Sequence, residues 1–438
     1  MKTLVKTALV GASLLGGLTM GAAGAPRPAA AAEGADLVLG LDQALQLART
    51  RNRTLTVEKA KLAQAQTNVE QAWSSLFPTV AAQGKYTHNY KEVALQFGAE
   101  QLLLQPSEQL DAAISFTAPI LAPAAYPALR AVKAGVRGAE AGFKATEAGL
   151  LLNVAQTFYA ASIADEVVLA RQSNVGVAKA TLGNAQARFD AGTVTKVDLD
   201  RAQLALVRAE QGEREARLGQ ERTYRALATL LQEPRPFKVR IENVVPQKHD
   251  ERELDLALKL RPEFAALQAT AESAESEANA NGWRWAPTLS AFGNARKFNY
   301  DNFARDRYSW AVGGQLDWLL FDGGTRDAAR HQARARAVEA QARAEALRDT
   351  LRDDLADGSR ALETKQRGAE AAERSVALAK EALDLVRVQY EAGSVTQVDL
   401  LQAQDTLVSA QEALAQAHYD VAAADLFLRH AAGTFPAK

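Results

Sequence analysis

Apolar positions along the chain follow two different periods. From Leu400 to Leu428 apolar and small residues recur at alternating steps of three and four, the heptad pattern of closely packed coiled-coil helices. The stretch from Val175 to Phe189 shows the same pattern. Two of the predicted helices are some 67 residues long, or roughly 100 Å. The six predicted helices span residues 41–75, 124–190, 197–232, 252–283, 325–391 and 397–430.

Four shorter runs have the period of two that is typical of strands. From Leu110 to Ile120, and from Tyr308 to Leu320, apolar residues alternate with polar ones. Runs of about 9–11 residues are long enough to cross a bilayer as tilted strands. We therefore predict two strands in each half of the chain, the third being the least regular, at residues 77–97, 109–121, 287–300 and 308–321.

The sequence is also an internal duplication. Residues Phe189–Leu199 match Tyr390–Leu400 at a displacement of 201 positions, and Pro78-Thr79 is echoed by Pro287-Thr288. A repeated unit of roughly 200 residues means that each predicted helix and strand has a counterpart in the other half. The predicted organisation is a first repeat, an equatorial linker and a second repeat, at residues 33–232, 233–250 and 251–438.

Composition excludes several classes of protein. The net charge of -1 over 438 residues argues against a nucleic-acid partner, which requires a basic surface. The absence of cysteine excludes disulfides, thiolate metal sites and a cysteine-linked lipid anchor. The five histidines are scattered without metal-ligand spacing or a catalytic constellation. We therefore expect no enzymatic activity and no cofactor.

The N-terminus reads as an export signal. Lys2 and Lys6 precede an apolar segment from Ala8 to Met20, and Ala30-Ala31-Ala32 has the small residues of a cleavage site. A signal anchor is the alternative, but the apolar segment is short for a spanning helix. Beyond the N-terminus no apolar run of 18 or more residues occurs, so spanning helices are not expected. We predict that residues 1–32 are a signal peptide and that the protein is exported.

The tryptophans lie where a membrane barrel requires them. All five are in or beside the predicted strand regions, and tryptophan and tyrosine form girdles at the two bilayer interfaces of barrels. Aromatic residues also favour strands in general. Four strands cannot close a barrel in lipid, for which about eight is the minimum. The chain would therefore need copies of itself: two would supply eight strands, and three would supply twelve.

The repeated turns carry a resemblance to a known family. Ala191-Gly-Thr-Val-Thr-Lys-Val-Asp-Leu199 and Ala392-Gly-Ser-Val-Thr-Gln-Val-Asp-Leu400, each followed by Ala-Gln and a heptad, resemble the outer-membrane efflux protein (TolC) family, as does Leu320-Phe-Asp-Gly-Gly324. The resemblance implies a mainly α protein with membrane β-strands, a homotrimer with a twelve-stranded barrel in outer-membrane lipid on a periplasmic α-helical barrel. It also implies docking to an inner-membrane transporter through a periplasmic adaptor, as an export duct for small molecules or proteins.

The sequence departs from the family pattern in three places. The first strand-to-helix junction reads Leu121-Ala-Pro-Ala-Ala125 instead of Asp-Gly-Gly, and Arg53 stands where the second half has Pro262. The segment after Gly433 is very short, so any equatorial domain is reduced to about residues 233–250. A member without cysteine cannot be one of the lipid-anchored members.

The turns themselves have a simple chemistry. Gly192 and Gly393 suit a left-handed residue that ends a helix, and Thr195-x-x-Asp198 and Thr396-x-x-Asp399 fit a capping box that starts the next. A tight helical hairpin would explain all of these residues. The resemblance implies more, namely that the tips contact the adaptor, at Gly192, Thr193, Val194, Gly393, Ser394 and Val395.

The resemblance also implies an aperture. Asp399 matches the family position of an acidic ring, which would attract cations in a narrow passage; the family often has a second aspartate one turn later, where this chain has Gln402. Asp399 as a cap alone is the alternative. Tyr390 and Asp198 are candidates for latches between neighbouring helices. A non-conducting periplasmic coiled-coil spacer remains the alternative function, although a spacer has no need for the four strands.

Overall fold

The computed structural model describes residues 37–97, 100–240, 254–301 and 306–435. The predicted signal peptide at 1–32 and residues 241–250 of the predicted linker lie outside the described residues. The first repeat contains β1 Leu37–Leu39, α1 Leu41–Arg51, α2 Arg53–Ser74, β2 Thr79–His88, β3 Val93–Phe97, β4 Glu100–Gln105, β5 Glu108–Leu121, α3 Ala125–Asp190, α4 Lys196–Leu231 and β6 Phe237–Val239. The second repeat contains α5 Leu254–Leu260, α6 Pro262–Trp283, β7 Thr288–Phe298, β8 Tyr308–Asp317, α7 Thr325–Glu391 and α8 Gln397–Ala431.

Two helices that the sequence predicts as continuous are each divided by one extended residue. Asn52 separates α1 from α2 at ψ 130°, accepting a hydrogen bond from the amide of Thr54 and donating one to the carbonyl of Leu230, both 2.8 Å. Arg261 separates α5 from α6 at ψ 113° because proline, here Pro262, disfavours a helical residue before it. Both breaks contact the end of a returning helix, since the guanidinium of Arg261 donates to the carbonyl of His430 at 2.8 Å.

The four long strands form one antiparallel sheet in the order β2-β5-β7-β8. Thr79 pairs with Thr117, and the equivalent pair in the second repeat is Thr288 with Asp317. β2 and β8 are therefore the two edges of the sheet. Within the described residues the chain adds two small sheets, the β3–β4 hairpin and the parallel pair of β1 with β6.

The predicted strand at 77–97 differs from the observed structure. β2 ends at His88, and the chain continues into β3 and β4, which form a separate two-stranded sheet with each other. Asn89 closes the end of the β2–β5 ladder, because its amide donates to the carbonyl of Ser107 and its side chain to that of Pro106, both at 2.8 Å. The predicted strand at 308–321 is also shorter in the structure, where β8 ends at Asp317.

The largest hydrophobic core lies midway along α3. It is built around the fully buried Leu151, Val154 and Phe158. Packed against them are β1 and β6, helix α1, and the C-terminal ends of α4 and α8. The elements of both repeats therefore converge at this level, halfway between the sheet and the repeated turns.

The helices form a layer whose order changes at that core. Between the core and the turns, α4 packs on α3, α3 on α8 and α8 on α7. Between the core and the sheet, α2 packs on α3, α3 on α6 and α6 on α7. The two sides of the subunit are therefore formed by α2 and α4 on one side and by α7 on the other. None of the helices that the structure describes has the length and apolar character needed to cross a membrane.

Candidate functional site at the repeated turns

The two repeated turns have the same backbone geometry. The first turn (residues 191–195) joins α3 to α4, and the second turn (residues 392–396) joins α7 to α8. Gly192 and Gly393 have φ of 73° and 76°, a region that favours glycine. The amides of Thr193 and Ser394 each donate to a carbonyl five residues earlier at 2.9 Å, and their hydroxyl groups donate to the same carbonyls. These are Schellman caps, so the left-handed glycines expected from the sequence are present.

Each turn is completed by a capping box. The hydroxyl of Thr195 accepts from the amide of Asp198 at 3.3 Å, and the Asp198 carboxylate accepts from the Thr195 amide at 3.2 Å. Thr396 and Asp399 repeat this arrangement at 3.3 and 2.9 Å. Hydrogen bonds from the threonine hydroxyl and amide hold the pKa of each aspartate below its usual value. Both carboxylates are therefore ionised caps at neutral pH.

The surroundings of the two aspartates differ in charge. Arg201 lies one turn along α4, and its guanidinium is 3.5 Å from the Asp198 carboxylate. The corresponding position in the second repeat is Gln402, which has no charge. A negative charge that has a cationic neighbour produces a weaker field than one that has none. Asp399 therefore lacks the cationic neighbour that Asp198 has one turn along its helix.

Tyr390 connects the two turns through a residue that the sequence analysis did not single out. The guanidinium of Arg188 lies 4.6 Å from the centre of the Tyr390 ring. The same guanidinium donates to the carbonyls of Tyr390 and Glu391 at 3.4 and 3.5 Å. Tyr390 is buried in this contact. An arginine in the last turn of a helix, where it can bind free carbonyls, was the available signal.

A groove runs between the ends of α3 and α7 above the first part of α8. Its volume is about 430 Å³, and it is lined by residues that include Asn184 and Arg188 on one side and Asp384 and Tyr390 on the other. Beneath it, the buried Gln404 side chain donates to the hydroxyl of Thr181 at 3.0 Å and joins α8 to α3. The predicted tip residues Val194 and Val395 lie at the turn ends beyond this groove. The site is therefore a pair of similar helical tips joined by the contacts of Arg188 with Tyr390 and Glu391.

The opposite end of the long helices carries an aromatic cluster. Asp322 binds Arg326 at 2.8 Å, and the Arg326 guanidinium lies 4.2 Å from the centre of the Trp285 ring. The indole of Trp318 donates to the carbonyl of Trp285 at 3.2 Å. Gly323 and Gly324 between them have φ of 70° and 86°. The Asp-Gly-Gly sequence thus turns the chain sharply from β8 into α7 beside tryptophans.

Long helical hairpins that carry a four-stranded sheet at one end and repeated tight turns at the other define a duplicated, mainly helical class of protein. The chain belongs to the outer membrane efflux protein family, whose sequence model matches residues 44–232 and 254–434. It is accordingly an outer-membrane protein of a transport family rather than of an enzyme class. The resemblance stated from the repeated turns is thereby confirmed.

Solved structures show the same fold. The Campylobacter jejuni CmeC outer membrane channel superposes with a TM-score of 0.79 at 18% identity, covering 90% of this chain and 85% of that chain. The outer membrane protein VceC from Vibrio cholerae superposes with a TM-score of 0.77 at 19% identity, covering 90% and 96%. The mainly α fold with a four-stranded sheet is thus shared with outer-membrane channels.

A curated relative is similar over part of its length. The alkaline protease secretion protein AprF of Pseudomonas aeruginosa is 28% identical over 299 residues, which is 65% of this chain. The chain spans 61% of the length of that relative. The chain thus belongs to an efflux protein family and also resembles a protein named for protease secretion.

Proposed function

We propose that three copies of this chain form an outer-membrane channel continuous with a periplasmic helical tunnel, the passive duct of a tripartite efflux or type I secretion system. The observation that carries the proposal is that the sheet and the helical layer are open along the same two sides. β2, α2 and α4 form one side, and β8 and α7 form the other. Open strand edges are not tolerated in lipid, and three copies would close a twelve-stranded barrel.

The exposure of equivalent residues supports closure by further copies of the chain. Val207 on α4 is 54% exposed, whereas Val408, its counterpart on α8, is 8% exposed. Ala60 on α2 is exposed and its counterpart Ala269 on α6 is buried. Each repeat has an apolar residue at the same helix position, but only the residues on the central helices α8 and α6 are covered within the subunit. In the assembly, α7 of a neighbouring copy would cover Val207 and Ala60.

The α7 side carries matching apolar residues. Leu378, Leu385 and Val388 are 66%, 57% and 65% exposed, and their spacing of seven and three continues a coiled-coil seam. In a closed ring this seam would face α4 of the next copy. The contact would be heterologous, so it closes only when the rotation per subunit completes a ring.

We assign the two turns to partner binding and gating. The tips at Gly192–Val194 and Gly393–Val395 would contact a periplasmic adaptor that connects the duct to an inner-membrane transporter. Asp399 would form the acidic ring of the aperture, with Tyr390 and Asp198 as latches. The contact of Arg188 with Tyr390 supports such a role for Tyr390, because it ties the end of α3 to the end of α7. Crosslinks from the tip residues to an adaptor would support this assignment, and crosslinks found only near the hydrophobic core around Phe158 would contradict it.

Conductance distinguishes the duct from a non-conducting spacer. The mature protein, extracted from the outer membrane, should migrate as a heat-modifiable trimer and should produce discrete conductance steps in planar bilayers. A spacer would give neither membrane association nor conductance, and either absence would overturn the proposal. The four-stranded sheet with its exposed Trp310 and Val312 favours the duct, since a spacer needs no such surface.

The aperture assignment is tested by removing the negative charge of Asp399 while keeping its helix-capping hydrogen bond. Asp399→Asn retains an oxygen acceptor for the Thr396 amide and removes the negative charge. We expect it to weaken the block of conductance by multivalent cations, because three charges leave the narrowest passage. Asp198→Asn is the matched control in the first turn and should change the block less. Equal block in Asp399→Asn and in the unsubstituted protein would leave Asp399 as a cap only.

A further inference from the structure

β5 and β8 occupy equivalent places in the two repeats but differ in length. The pairing of Thr79 with Thr117 and of Thr288 with Asp317 aligns β5 with β8 at an offset of 200, and β2 with β7 at an offset of 209. β5 has 14 residues and extends to Leu121, whereas β8 has 10 and stops at Asp317. The last four residues of β5 therefore correspond to Trp318–Phe321, which are not a strand.

The difference follows from the neighbours of the two strands. In β5, Ala118 pairs with Ala291, Pro119 with Ser290 and Leu121 with Leu289, all on β7. β8 is an edge of the sheet, and no strand among the described residues lies on its other side. Trp318, Leu319, Leu320 and Phe321 are 60%, 59%, 69% and 84% exposed. Four consecutive large apolar side chains thus lie open beside an unpaired strand edge.

We infer that β8 pairs with β2 of the next copy in the register that β5 forms with β7, and that Trp318–Phe321 become strand on assembly. The inference rests on the trimer proposed above. Within the chain, Thr117 pairs with Phe292 and Ser115 with Asn294. Adding 200 to each β5 residue and subtracting 209 from each β7 residue gives the inferred pairs between subunits. Asp317 then lies opposite Gln83 of the partner subunit, and Gln315 lies opposite Lys85 of the partner subunit. A repeat that fixes the register inside the subunit thereby fixes it between subunits.

Side-chain chemistry agrees with this register. It places Trp318 opposite Ala82 of the partner subunit, Leu316 opposite Gly84 of the partner subunit and Gly314 opposite Tyr86 of the partner subunit. Each pair combines one large and one small side chain on the apolar face. The neighbouring pairs on the other face are polar. A slip of one residue would place apolar side chains against polar ones, since side chains alternate between the two faces.

An internal contact provides a template for one of these pairs. Phe116 pairs with Gly293 in the β5–β7 ladder, where a side chain added to Gly293 would come within 4.0 Å of the Phe116 ring. Gly84 is the counterpart of Gly293, and no atom lies within 4 Å of the position that its Cβ would occupy. The inferred register fills this open position with Leu316. A glycine opposite a large residue therefore occurs both in the β5–β7 pairing and in the inferred pairing of β8 with β2 of the partner subunit.

The absence of native cysteine makes the register directly measurable. In an antiparallel ladder the Cα atoms of opposite residues are about 4.5–5.5 Å apart, which is within the range for a disulfide. The variant with Asp317→Cys and Gln83→Cys should form covalent trimers on mild oxidation of outer-membrane preparations, as should Gln315→Cys with Lys85→Cys. Within one chain these positions lie on opposite edges of the sheet, so only neighbouring copies can join.

The shifted controls are Asp317→Cys with Lys85→Cys and Asp317→Cys with Ala81→Cys. Lower crosslinking in both than in the register-matched pairs is expected, and preferential crosslinking in either one would overturn the register. Heat-modifiable trimers of the cysteine-free protein are measured alongside. If they form while the shifted pair crosslinks, the register is wrong and the trimer stands; if they do not form, the proposed assembly itself is wrong.

Hydrogen exchange tests the added strand without any substitution. In the trimer, the amides of residues 318, 320 and 321 should exchange about as slowly as those of residues 118, 120 and 121, because both segments would be paired with a neighbouring strand; position 119 is proline and has no amide proton. Protection of residues 118, 120 and 121 together with fast exchange of residues 318, 320 and 321 would overturn the extension of β8. This measurement keeps the inference testable if a cysteine variant assembles poorly.

Discussion

The two longest helices occupy equivalent places in the repeats and have different compositions. α3 packs against α2, α4, α6 and α8, and its buried side chains include Leu151, Val154 and Phe158. α7 packs against α5, α6 and α8 and carries more than twice as many charged residues as α3. Position in the layer therefore decides composition. A helix enclosed on both sides is apolar, whereas one at the subunit edge keeps only a narrow apolar seam.

The two helices also fill the central core in different ways. Gly358 on α7 lies 200 positions after Phe158, and a side chain on Gly358 would lie 3.3 Å from both Phe427 and Leu428 of α8. α7 is one residue longer than α3, 67 against 66. This difference accounts for the change in offset from 200 at the strands to 201 at the turns. The second repeat thus fills the core from α8, whereas the first fills it from α3.

The largest expected effect comes from emptying the α3 core. Phe158→Ala removes a fully buried ring and leaves a cavity in the core. We expect a loss of about 3–5 kcal/mol in the free energy of unfolding per chain. A marked fall in the temperature at which the helical circular dichroism signal is lost would show this.

Leu169→Ala on the same helix is the control for Phe158→Ala. Leu169 is 64% exposed, so its truncation should change stability by no more than about 0.5 kcal/mol. Equal effects of the two substitutions would contradict the claim that α3 is enclosed at the level of Phe158. The comparison between α3 and α7 would then lose its physical basis.

Local rules were sufficient to predict the turns from the sequence. Gly192, Thr195 and Asp198 have strong positional preferences, and the duplication provided a second instance of each. The break at Asn52 is harder to predict because Asn52 is fixed by the carbonyl of Leu230, far away in sequence, whereas Pro262 was a local signal for the break at Arg261. The contact of Arg188 with Tyr390 also depends on two helices meeting, which periodicity does not specify.

The ends of α4 and α8 offer the next largest test. Gly433, with φ of 72°, follows α8, and Gln232, with φ of 52°, occupies the corresponding position after α4. A Cβ on Gly433 would lie 2.7 Å from the Cβ of Leu260. Gly433→Gln should therefore cost about 1–3 kcal/mol through crowding and left-handed strain. The fall in thermal stability of the protein would measure it.

The reciprocal change, Gln232→Gly, is the control for Gly433→Gln. It relieves a left-handed glutamine and adds backbone freedom to the unfolded chain, so stability should change by less than about 1 kcal/mol. If Gly433→Gln were as mild as Gln232→Gly, the packing of α8 against α5 at Leu260 would be looser than the structure indicates.

A buried carboxylate makes the end of α4 dependent on pH. Glu233 binds Arg235 at 2.8 Å and Arg51 at 2.9 Å, and hydrogen bonds led by that from Arg235 lower its pKa to about 2. A lowered pKa in the folded state contributes stability above the ordinary value of 4.5, and this contribution is lost as pH falls towards 2. Glu233→Gln should therefore be less stable than the unsubstituted protein at pH 7, and the difference should shrink below pH 4.5.

Thermal melts of the two proteins between pH 7 and pH 3 would measure that difference. Glu221→Gln, an exposed change on α4, is the control and should follow the unsubstituted protein at every pH. A constant gap between Glu233→Gln and the unsubstituted protein across the range would mean that the carboxylate titrates normally. Thr434 stands at the corresponding position after α8, so this pH dependence should belong to the first repeat alone.

The smallest expected effect tests whether the two turns are equivalent in energy as well as in geometry. Thr195→Ala and Thr396→Ala each remove the hydroxyl that accepts a hydrogen bond from an aspartate amide. Each substitution should lower the stability of its helix N-terminus by about 1 kcal/mol. Exchange of amides in the first turn of α4 and of α8 should accelerate by similar factors, of about fivefold, while the matched Thr→Ser variants should restore protection. A much larger effect in one turn would mean that contacts between helices, such as that of Arg188 with Tyr390, control its stability. The two tips would then differ in stability despite their common backbone geometry.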